Sequence, residues 1–360
     1  MVESCAVKSS DSISLTGIKP TGEPHLGNYV GAIKPAIDLT KRYDAYYFIA
    51  DYHALTTIRD PKLLTHYSRS VAATWLACGL DPAAATIYRQ SDIPETFELC
   101  WIFACVTAKG MMNRAHAYKA ARDRNRAEGV PDLDSGVNMG LYNYPVLMAA
   151  DILIMEADIV PVGQDQVQHV EYARDIAERF NLAYGAKYAF KLPQNVTSSD
   201  EDENAMPGVD GRKMSKSYGN TIPLFADRAE LRRLIRSIKT DSTPVEAPKD
   251  PTTSSLFAIY RQFSTEDEEA IIRDRLLAGG LGWGELKDLL FEKIDEQLAE
   301  PRERYHHLMR EESELDAILA TGGKKARATA RRVLGTVRTA VGIGRLIKSR
   351  SEGDGIGRVP

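Results

Sequence analysis

Short apolar runs alternate with longer amphipathic segments along the first half of the chain. The short runs SISLTGI, AYYFIA, ATIYRQ and DIVPVG each have the length and composition of a buried strand. The first long segment, HLGNYVGAIKPAIDLTKRY, predicts a helix with one apolar face, formed by Leu26, Tyr29, Val30, Ile33 and Ile37. Strands that alternate with helices indicate a parallel sheet with right-handed crossovers. In such sheets ligands bind beyond the carboxyl ends of the strands.

Further helices are predicted around residues 64–78 and in the segments YPVLMAADILIM and QDQVQHVEYARDIAERF. The pattern then changes in TSSDEDENAMPGVDGRKMSKSYGN, which is polar, acidic and glycine-containing and therefore predicts a mobile surface loop. Beyond it the periodicity is almost entirely helical. We therefore expect an α/β fold with a Rossmann-type, doubly wound parallel sheet in residues 11–225, a helical domain in 226–345 and a disordered tail in 346–360.

Composition places the chain of 360 residues among globular proteins, with 43% hydrophobic and 27% charged residues. The net charge of -4 means that any nucleic-acid binding must come from a local basic patch. No apolar run reaches the roughly 18 residues of a membrane span. The N-terminal MVESCAVKSSDS lacks the features of a signal or transit peptide, and the four cysteines show no CxxC spacing. We expect a reduced, cytoplasmic protein without a cysteine-bound metal or iron–sulfur cluster.

A local basic patch does exist in the last helical stretch, GGKKARATARRVLGTVRTAVGIGRLIKSR, which contains no acidic residue. Such a helix is suited to contact a phosphate backbone. A solvated face whose long side chains cover apolar surface is the alternative, and the pattern alone does not separate the two. The basic residues are Lys324, Lys325, Arg327, Arg331, Arg332, Arg338, Arg345, Lys348 and Arg350.

Two loops carry the chemistry. KPTGEPHLGN joins the first strand to the first helix, where Gly27 leaves room for a nucleotide against the helix start and free N–H groups suit phosphate. His25 and Asn28 add side-chain donors, although an ordinary strand-to-helix turn explains this motif equally well. GRKMSKS, residues 211 to 217, packs two lysines and two serines around a methionine with no acidic partner inside the motif. Alone it is compatible with a solvated basic turn.

Together, HLGN and KMSKS are the two signatures of class I aminoacyl-tRNA synthetases, and the segment between them narrows the resemblance. YPVLMAADILIMEADIVPVGQDQVQHVEYARD, residues 144 to 175, resembles the centre of bacterial-type tryptophanyl-tRNA synthetases. GIKPTG, DYHALT, YNYP and RYHHLM fit the same family, so the resemblance covers nearly all of residues 13 to 345. Tyrosyl-tRNA synthetases share the two signatures but not the MAADIL segment.

The resemblance implies a tryptophan–tRNA ligase that activates L-tryptophan with ATP and Mg²⁺ and transfers it to the 2′-hydroxyl of the terminal adenosine of tRNA(Trp). It also implies a homodimer that does not bind membranes. Two alternatives remain: a tyrosyl-tRNA synthetase, and a non-catalytic paralogue that binds RNA or a partner through the basic helix. The intact HLGN and KMSKS motifs argue against the second alternative.

The resemblance also assigns roles to residues. Catalysis falls to Lys213, Ser215, Lys216 and Ser217, whose charges and hydroxyls would meet the triphosphate, while Lys119 matches a further phosphate-directed lysine only loosely. ATP binding falls to Lys19, Pro20, Thr21, His25, Gly27, Asn28, Gly163, Gln164, Asp165, Ala205, Lys213, Met214, Ser215, Lys216 and Ser217. Tryptophan binding falls to His53, Tyr144, Met148, Asp151, Val162 and Gln166.

Asp151 is the residue expected to select tryptophan. Tyr144, Met148 and Asp151 share one helix face, so Met148 would wall the indole and Asp151 would accept its N–H. A helix cap or an internal salt bridge is the alternative role for this carboxylate. Lys19 departs from the family, because many bacterial relatives have glutamine at that position; its charge puts that glutamine's contacts in doubt.

Overall fold

The computed structural model describes residues 12–196 and 206–344. Within them lies a parallel sheet of five strands in the order β3-β2-β1-β4-β5. The predicted fold class and four of these strands are confirmed; the fifth, β5, is short and fully exposed, so it has no apolar pattern to reveal it. The strands are β1 (Ile13–Ile18), β2 (Asp44–Ile49), β3 (Ala85–Arg89), β4 (Ile159–Pro161) and β5 (Gln194–Val196).

The strand order reverses beside β1, because β2 and β3 lie on one side of it and β4 on the other. The loops that leave β1 and β4 therefore diverge at a topological switch point, where doubly wound sheets bind their ligands. The paired register runs from Ile13 opposite Asp44 to Ile18 opposite Ile49, so the carboxyl ends of β1 and β2 are level.

Helices cover both faces of the sheet. Alternation along β2 sends Tyr47 towards Trp75 on one face and Tyr46 and Phe48 into the buried cluster on the other. The helices up to residue 184 are α1 (Leu26–Asn28), α2 (Lys34–Leu39), α3 (Asp51–Ala54), α4 (Pro61–Ala77), α5 (Glu95–Val106), α6 (Lys109–Met112), α7 (His116–Ala127), α8 (Met139–Ile154) and α9 (Val167–Tyr184).

The expectation of one continuous α-helix over residues 25–43 is wrong in detail. The segment Tyr29–Ile33 is a π-helix that separates α1 from α2. Pro35 explains the break, because it has no N–H to donate to the carbonyl four residues earlier, and wider turns commonly absorb such a defect.

From residue 226 onward the described chain is helical, as the periodicity predicts. Side-chain caps at Asp227, Ser254 and Thr265 fix where three of these helices begin. The helices are α10 (Arg228–Arg236), α11 (Ser255–Tyr260), α12 (Glu266–Ala278), α13 (Trp283–Arg310) and α14 (Glu312–Val341). The tail 346–360 lies outside the described residues. No helix in the described ranges is long and apolar enough to cross a membrane.

The last helix packs back against the sheet. Gly322 lies so close to edge strand β3 that a Cβ there would stand 1.9 Å from the carbonyl oxygen of Ile87. Ala326, Val333 and Val337 are buried in the same cluster as α5 and α8. The helix thus covers the edge of the sheet, which would otherwise present unpaired backbone groups. The domain division at residue 225 remains a proposal, and α14, from the second region, packs against elements of the first.

Candidate active site

The loop after β1 is shaped by one glycine and a histidine cap. Gly22 has a backbone φ of 142°, which residues other than glycine rarely adopt. His25 caps α1: its Nδ1 accepts from the N–H of Asn28 at 3.3 Å, and Asn28 Oδ1 accepts from the N–H of His25 at 3.2 Å. This reciprocal pair satisfies two N–H groups that a helix start leaves open.

His25 is held in its neutral form. Burial and the positive charge of Lys216 lower the pKa of His25 to about 4. A neutral ring is also what the cap requires, because Nδ1 must keep a lone pair to accept from Asn28. The predicted donor role of His25 therefore belongs to Nε2 alone.

The KMSKS segment is anchored at its base by buried side chains. Of the predicted loop 197–220, residues 197–205, including Ala205, lie outside the described residues. The rest folds onto itself, with the N–H of Met214 donating to the carbonyl of Met206 at 2.8 Å and both side chains buried. Residues 211–213 and 216–219 are exposed, as a surface loop requires, whereas Met206, Met214 and Asn220 are buried and anchor it; its mobility stays a prediction.

Asn220 is the polar anchor of this segment. It is 1% exposed, and its Oδ1 accepts from the N–H of Ser215 at 2.8 Å. Its amide nitrogen donates to Asp210 Oδ1 at 2.7 Å and to the carbonyl of Lys213 at 3.1 Å. One buried amide therefore fixes the backbone on both sides of Met214.

The two signature loops form one unit. The N–H of Leu26 donates to the carbonyl of Ile222 at 3.0 Å, and the N–H of Leu224 donates to the carbonyl of Pro24 at 3.0 Å. The N–H of Gly27 also lies 3.4 Å from the sulfur of Met214. The helix start offered to phosphate and the lysine-bearing loop are thus held together by backbone contacts.

The two lysines of this unit reach solvent, although Lys216 is covered in part. Lys213 and Lys216 are exposed, and Lys216 lies over the first loop, where a Cβ on Gly22 would stand 3.1 Å from its Nζ. Ser215 and Ser217 share a hydrogen bond of 2.9 Å between their hydroxyls. In the described parts of the chain no acidic group within 4.0 Å pairs with either lysine. This is an arrangement that suits a polyanion.

A buried carboxylate lies on α8 beside the carboxyl end of β3. Asp151 is 4% exposed; His53 Nε2 lies 2.9 Å from its Oδ2, and Gln90 Nε2 lies 2.9 Å from both of its oxygens. Burial raises the pKa of Asp151, and the hydrogen bonds from His53 and Gln90 oppose that shift. The internal salt-bridge alternative for Asp151 is therefore present, yet an ionised carboxylate has about four acceptor positions and retains room for another donor.

The other predicted pocket residues lie on α8 and after β4. Tyr144 and Met148 are partly buried, and the Tyr144 hydroxyl is hydrogen-bonded to His169 Nε2. Burial raises the pKa of Tyr144 to about 12, so it remains a neutral phenol. A short 3₁₀ turn, Gln164–Gln166, follows β4 at the switch point. It contains or adjoins four of the predicted residues: Val162, Gly163, Gln164 and Gln166. The side chain of Asp165 lies outside the described residues.

Comparison with known proteins decides the family. Residues 8–299 match the profile of the family described as tRNA synthetases class I (W and Y). The chain belongs to that family. It is 54% identical over 332 residues to the tryptophan–tRNA ligase of Xanthomonas axonopodis pv. citri (strain 306), covering 91% of this chain and 76% of the relative. It is 53% identical over 331 residues to the tryptophan–tRNA ligase of Neisseria meningitidis, covering 91% and 97%.

A solved structure agrees. The tryptophanyl-tRNA synthetase of Campylobacter jejuni, crystallised with ADP and tryptophan, matches with a TM-score of 0.82 and 40% identity over 92% of this chain and 99% of that one. Within this class I family, Lys19 is the departure noted from sequence. Its Nζ donates to Thr56 Oγ1 at 2.8 Å, and burial lowers its pKa. Pro20 is buried and Thr21 exposed in the same turn.

Sequence reasoning missed Gln90 and Asn220. Gln90 follows β3 directly, and its Oε1 accepts from the N–H groups of Tyr52 and His53 at 3.1 and 3.3 Å while its amide reaches Asp151. A polar residue at the carboxyl end of a buried strand was the available signal. Lys119 is an exposed residue of α7, and its phosphate-directed role stays a prediction.

Proposed function

We propose that this class I synthetase is a tryptophan–tRNA ligase. Two steps follow: L-tryptophan reacts with ATP to give tryptophanyl-adenylate and pyrophosphate, and the tryptophan is then transferred to the 2′-hydroxyl of the terminal adenosine of tRNA(Trp). The observation that carries the proposal is the 53–54% identity to curated tryptophan–tRNA ligases over 91% of this chain. Two features at one edge of the sheet support it: the pair of signature loops, whose lysines suit a polyanion, and the buried carboxylate of Asp151.

In the first step a carboxylate oxygen of tryptophan attacks the α-phosphorus of ATP. The bond from phosphorus to the β-bridging oxygen breaks, and pyrophosphate leaves with the electron pair. No general base is needed, because the attacking carboxylate is already ionised. Lys213 and Lys216, with the hydroxyls of Ser215 and Ser217, stabilise charge on the transferring phosphate and the leaving group. Mg²⁺ enters on the phosphate oxygens of ATP, where this ion retains several of its waters.

The nucleotide is proposed to lie at the switch point. Gly27 and Gly163 let backbone approach it, and Asp165 accepts from the ribose hydroxyls. His25, neutral at Nδ1, and Asn28 line the helix start beside the phosphates. The remaining ATP contacts proposed are Lys19, Pro20, Thr21, Gln164, Ala205 and Met214.

Tryptophan is proposed to lie along α8. Met148 and Val162 wall the indole, and Asp151 accepts the indole N–H. Tyr144 and Gln166 hold the amino group, and His53 lies close to the substrate through its contact with Asp151. A carboxylate already oriented by two donors is a fixed acceptor, which favours an N–H over an analogue without one.

The second step, transfer to tRNA, involves further features of the protein. We propose that the helical region reads tRNA(Trp), that two copies form a homodimer with tRNA crossing between them, and that the enzyme acts in the cytoplasm, where translation occurs. An exposed apolar surface on α5 supports the dimer: Trp101 is 73% exposed, with Ala104 and Cys105 beside it on the same side of the helix. Trp101→Glu should shift the mass measured by light scattering from dimer to monomer.

The activity is tested by amino-acid-dependent ATP–pyrophosphate exchange. Tryptophan should support exchange and tyrosine should not, and addition of tRNA(Trp) should then yield charged tRNA. Exchange with tyrosine alone would indicate a tyrosyl-tRNA synthetase. Absence of exchange with either amino acid, in protein that binds tRNA, would indicate a non-catalytic paralogue.

A further inference from the structure

Glu23, in the loop between β1 and α1, is tied to two distant helices. Its Oε1 lies 2.7 Å from His66 Nε2, and its Oε2 accepts from Ser70 Oγ at 2.7 Å. Oε2 also accepts from the hydroxyl of Tyr305 at 3.0 Å. His66 and Ser70 lie on α4, whereas Tyr305 lies on α13, 282 residues further along the chain. The carboxylate of Glu23, in the loop after β1, thus receives hydrogen bonds from both the sheet region and the helical region.

Tyr305 makes a second contact with the same site. Its ring stacks on Phe225, with centroids 4.2 Å apart and planes 19° from parallel. Phe225 follows Leu224, whose N–H donates to Pro24 at the first signature loop. Tyr305 is 7% exposed, so its position is set by packing as well as by its hydroxyl. One side chain of α13 therefore contacts the first signature loop at Glu23 and the segment that follows the KMSKS loop at Phe225.

Glu23 acts electrostatically on the KMSKS lysine. Lys216 lies over Gly22, the residue next to Glu23, and a Cβ there would stand 3.1 Å from Lys216 Nζ. Burial lowers the pKa of Lys216, and the negative charge of Glu23 opposes that shift. The carboxylate that α13 fixes is therefore a charge that attracts this ammonium group towards the turn.

We propose that Glu23 and Tyr305 are positioning residues for adenylation: Tyr305 fixes the Glu23 carboxylate, whose charge holds the Lys216 ammonium over the Gly22 turn, ready for the phosphates. The helical region thereby sets the position of a lysine outside it, in the loop that precedes residue 226. This inference rests on the proposed function.

Proton counting predicts some redundancy in this network. The hydroxyls of Ser70 and Tyr305 also lie 2.9 Å from each other, so three oxygen–oxygen contacts share two hydroxyl protons. If Tyr305 loses its hydroxyl, Ser70 can turn its proton fully to Glu23. The effect of one deletion is therefore smaller than that of both.

The test is a double-mutant cycle between Tyr305→Phe and Lys216→Ala, measured by tryptophan-dependent pyrophosphate exchange. Tyr305→Phe retains the ring on Phe225 and removes only the hydroxyl. Its kcat should fall about three- to tenfold, with the KM for tryptophan unchanged; this is less than the full worth of a hydrogen bond to a charged group, because Ser70 still donates to Glu23. In the Lys216→Ala background the same change should have no further effect, because the residue through which it acts is gone.

Tyr47→Phe is the matched control. It removes a buried tyrosine hydroxyl that donates to the carbonyl of Ala36 at 2.6 Å, in the core of the sheet. It should alter the melting temperature but not kcat in either background. If Tyr305→Phe does not fold, the cycle can be run with Ser70→Ala or Glu23→Gln in its place. If the two hydroxyls are redundant, the double variant Ser70→Ala, Tyr305→Phe should lower kcat by more than the product of the two single effects.

Additive effects of Tyr305→Phe and Lys216→Ala would overturn the inference, because they would show a structural tie that acts independently of the lysine. A parent protein without tryptophan-dependent exchange would instead overturn the proposed function, and the inference with it. The two failures are therefore distinguishable in one set of assays.

Discussion

The two ends of the candidate site treat charge in opposite ways. At the phosphate end, Lys213 and Lys216 lie exposed on a loop that backbone hydrogen bonds tie to α1. At the indole end, Asp151 is buried on α8 and held by His53 and Gln90. One end presents cations to solvent, and the other stabilises an anion inside the protein.

The difference follows from the ligands that we propose for the two ends. ATP brings its own negative charge, so the protein can leave its cations hydrated until the phosphates replace the water. An indole N–H carries no net charge, so an acceptor that selects it must be buried and stabilised by the protein itself. The phosphate end therefore needs only a well-anchored loop, whereas the indole end needs a hydrogen-bond network set by three separate elements.

The largest effect should come from removing a cation at the phosphate end. Lys216→Ala should raise the activation free energy of adenylation by about 3–4 kcal/mol and slow the reaction accordingly, as for the removal of an oxyanion-hole donor. Tryptophan affinity should hardly change, because the lysine acts on the phosphates. Single-turnover adenylation and equilibrium tryptophan binding measure the two quantities.

Lys187→Ala is the matched control for Lys216→Ala, because Lys187 is an exposed lysine that follows α9. It should leave both quantities unchanged. Adenylation by Lys216→Ala at the parent rate would show that the loop does not contact the phosphates in the transition state.

The next largest effect should come from the indole end. Asp151→Asn retains the shape but removes the charge, so kcat/KM for tryptophan should fall by about ten- to a hundredfold, the worth of a hydrogen bond to a charged acceptor. An analogue with sulfur in place of the ring nitrogen has no donor. The parent should reject it strongly, and Asp151→Asn much less strongly.

The decisive quantity is the ratio of kcat/KM values for tryptophan and the sulfur analogue in both proteins. Asp158→Asn, which changes a carboxylate just before β4 at the opposite end of the sheet, should leave that ratio unaltered. A ratio that stays the same in Asp151→Asn would leave Asp151 with only its salt bridge to His53, and some other residue would read the indole.

The sequence predicts the elements of this site better than their connections. Strands β1 to β4 were predictable because they are buried apolar runs between turn residues, and α8 because its period is clear. The grouping of Lys216 with His25 was predictable only through the motif pair. The position of Gln90 at the end of a buried strand was a signal, but its contact with Asp151, 61 residues away, was not predictable, and no local pattern marks Asn220 as a buried amide.

A third prediction concerns stability at the phosphate end. The pKa of His25 is lowered from 6.5 to about 4, first by burial and then by Lys216. A histidine with a lowered folded-state pKa stabilises the fold above its unfolded pKa, and the contribution is lost as the pH falls from about 6.5 to about 4. The free energy of unfolding should therefore drop over this range by at most about 2 kcal/mol, once solvent screening is allowed for.

Denaturant titrations of the parent and His25→Asn at several pH values measure this effect. Asparagine retains a side-chain acceptor for the cap without titrating, so the variant should lose less stability in acid. His116→Asn, at an exposed histidine where α7 begins, should follow the parent. Equal acid sensitivity of His25→Asn and the parent would mean that the cap does not depend on a neutral ring.

Helix α14 tests the comparison from a third position, because most of its cations already have acidic partners. Arg331 pairs with Glu95 and Arg332 with Glu156, although both arginine side chains are more than half exposed. Residues 322–341 of the helix contain no acidic residue, so the sequence did not reveal these pairs; the carboxylates come from α5 and from the turn after α8. Surface pairs of this kind contribute little to stability, so the arginines remain able to exchange a carboxylate for a phosphate.

We expect the double variant Arg331→Gln, Arg332→Gln to bind tRNA about three- to tenfold more weakly at low salt. The slope of log affinity against log salt concentration should flatten by about two units, one for each phosphate that the variant no longer neutralises. Pyrophosphate exchange without tRNA should hardly change, because neither arginine has a role in adenylation. Arg273→Gln with Arg275→Gln on α12 is the matched control: it removes the same charge and two exposed ion pairs, to Glu269 and Glu285. If the salt slope is unchanged in both the α14 variant and the control, the basic side chains of this helix stabilise its packing on the sheet through their ion pairs. Asp151 is likewise stabilised by partners inside the protein. The tRNA would then be bound elsewhere.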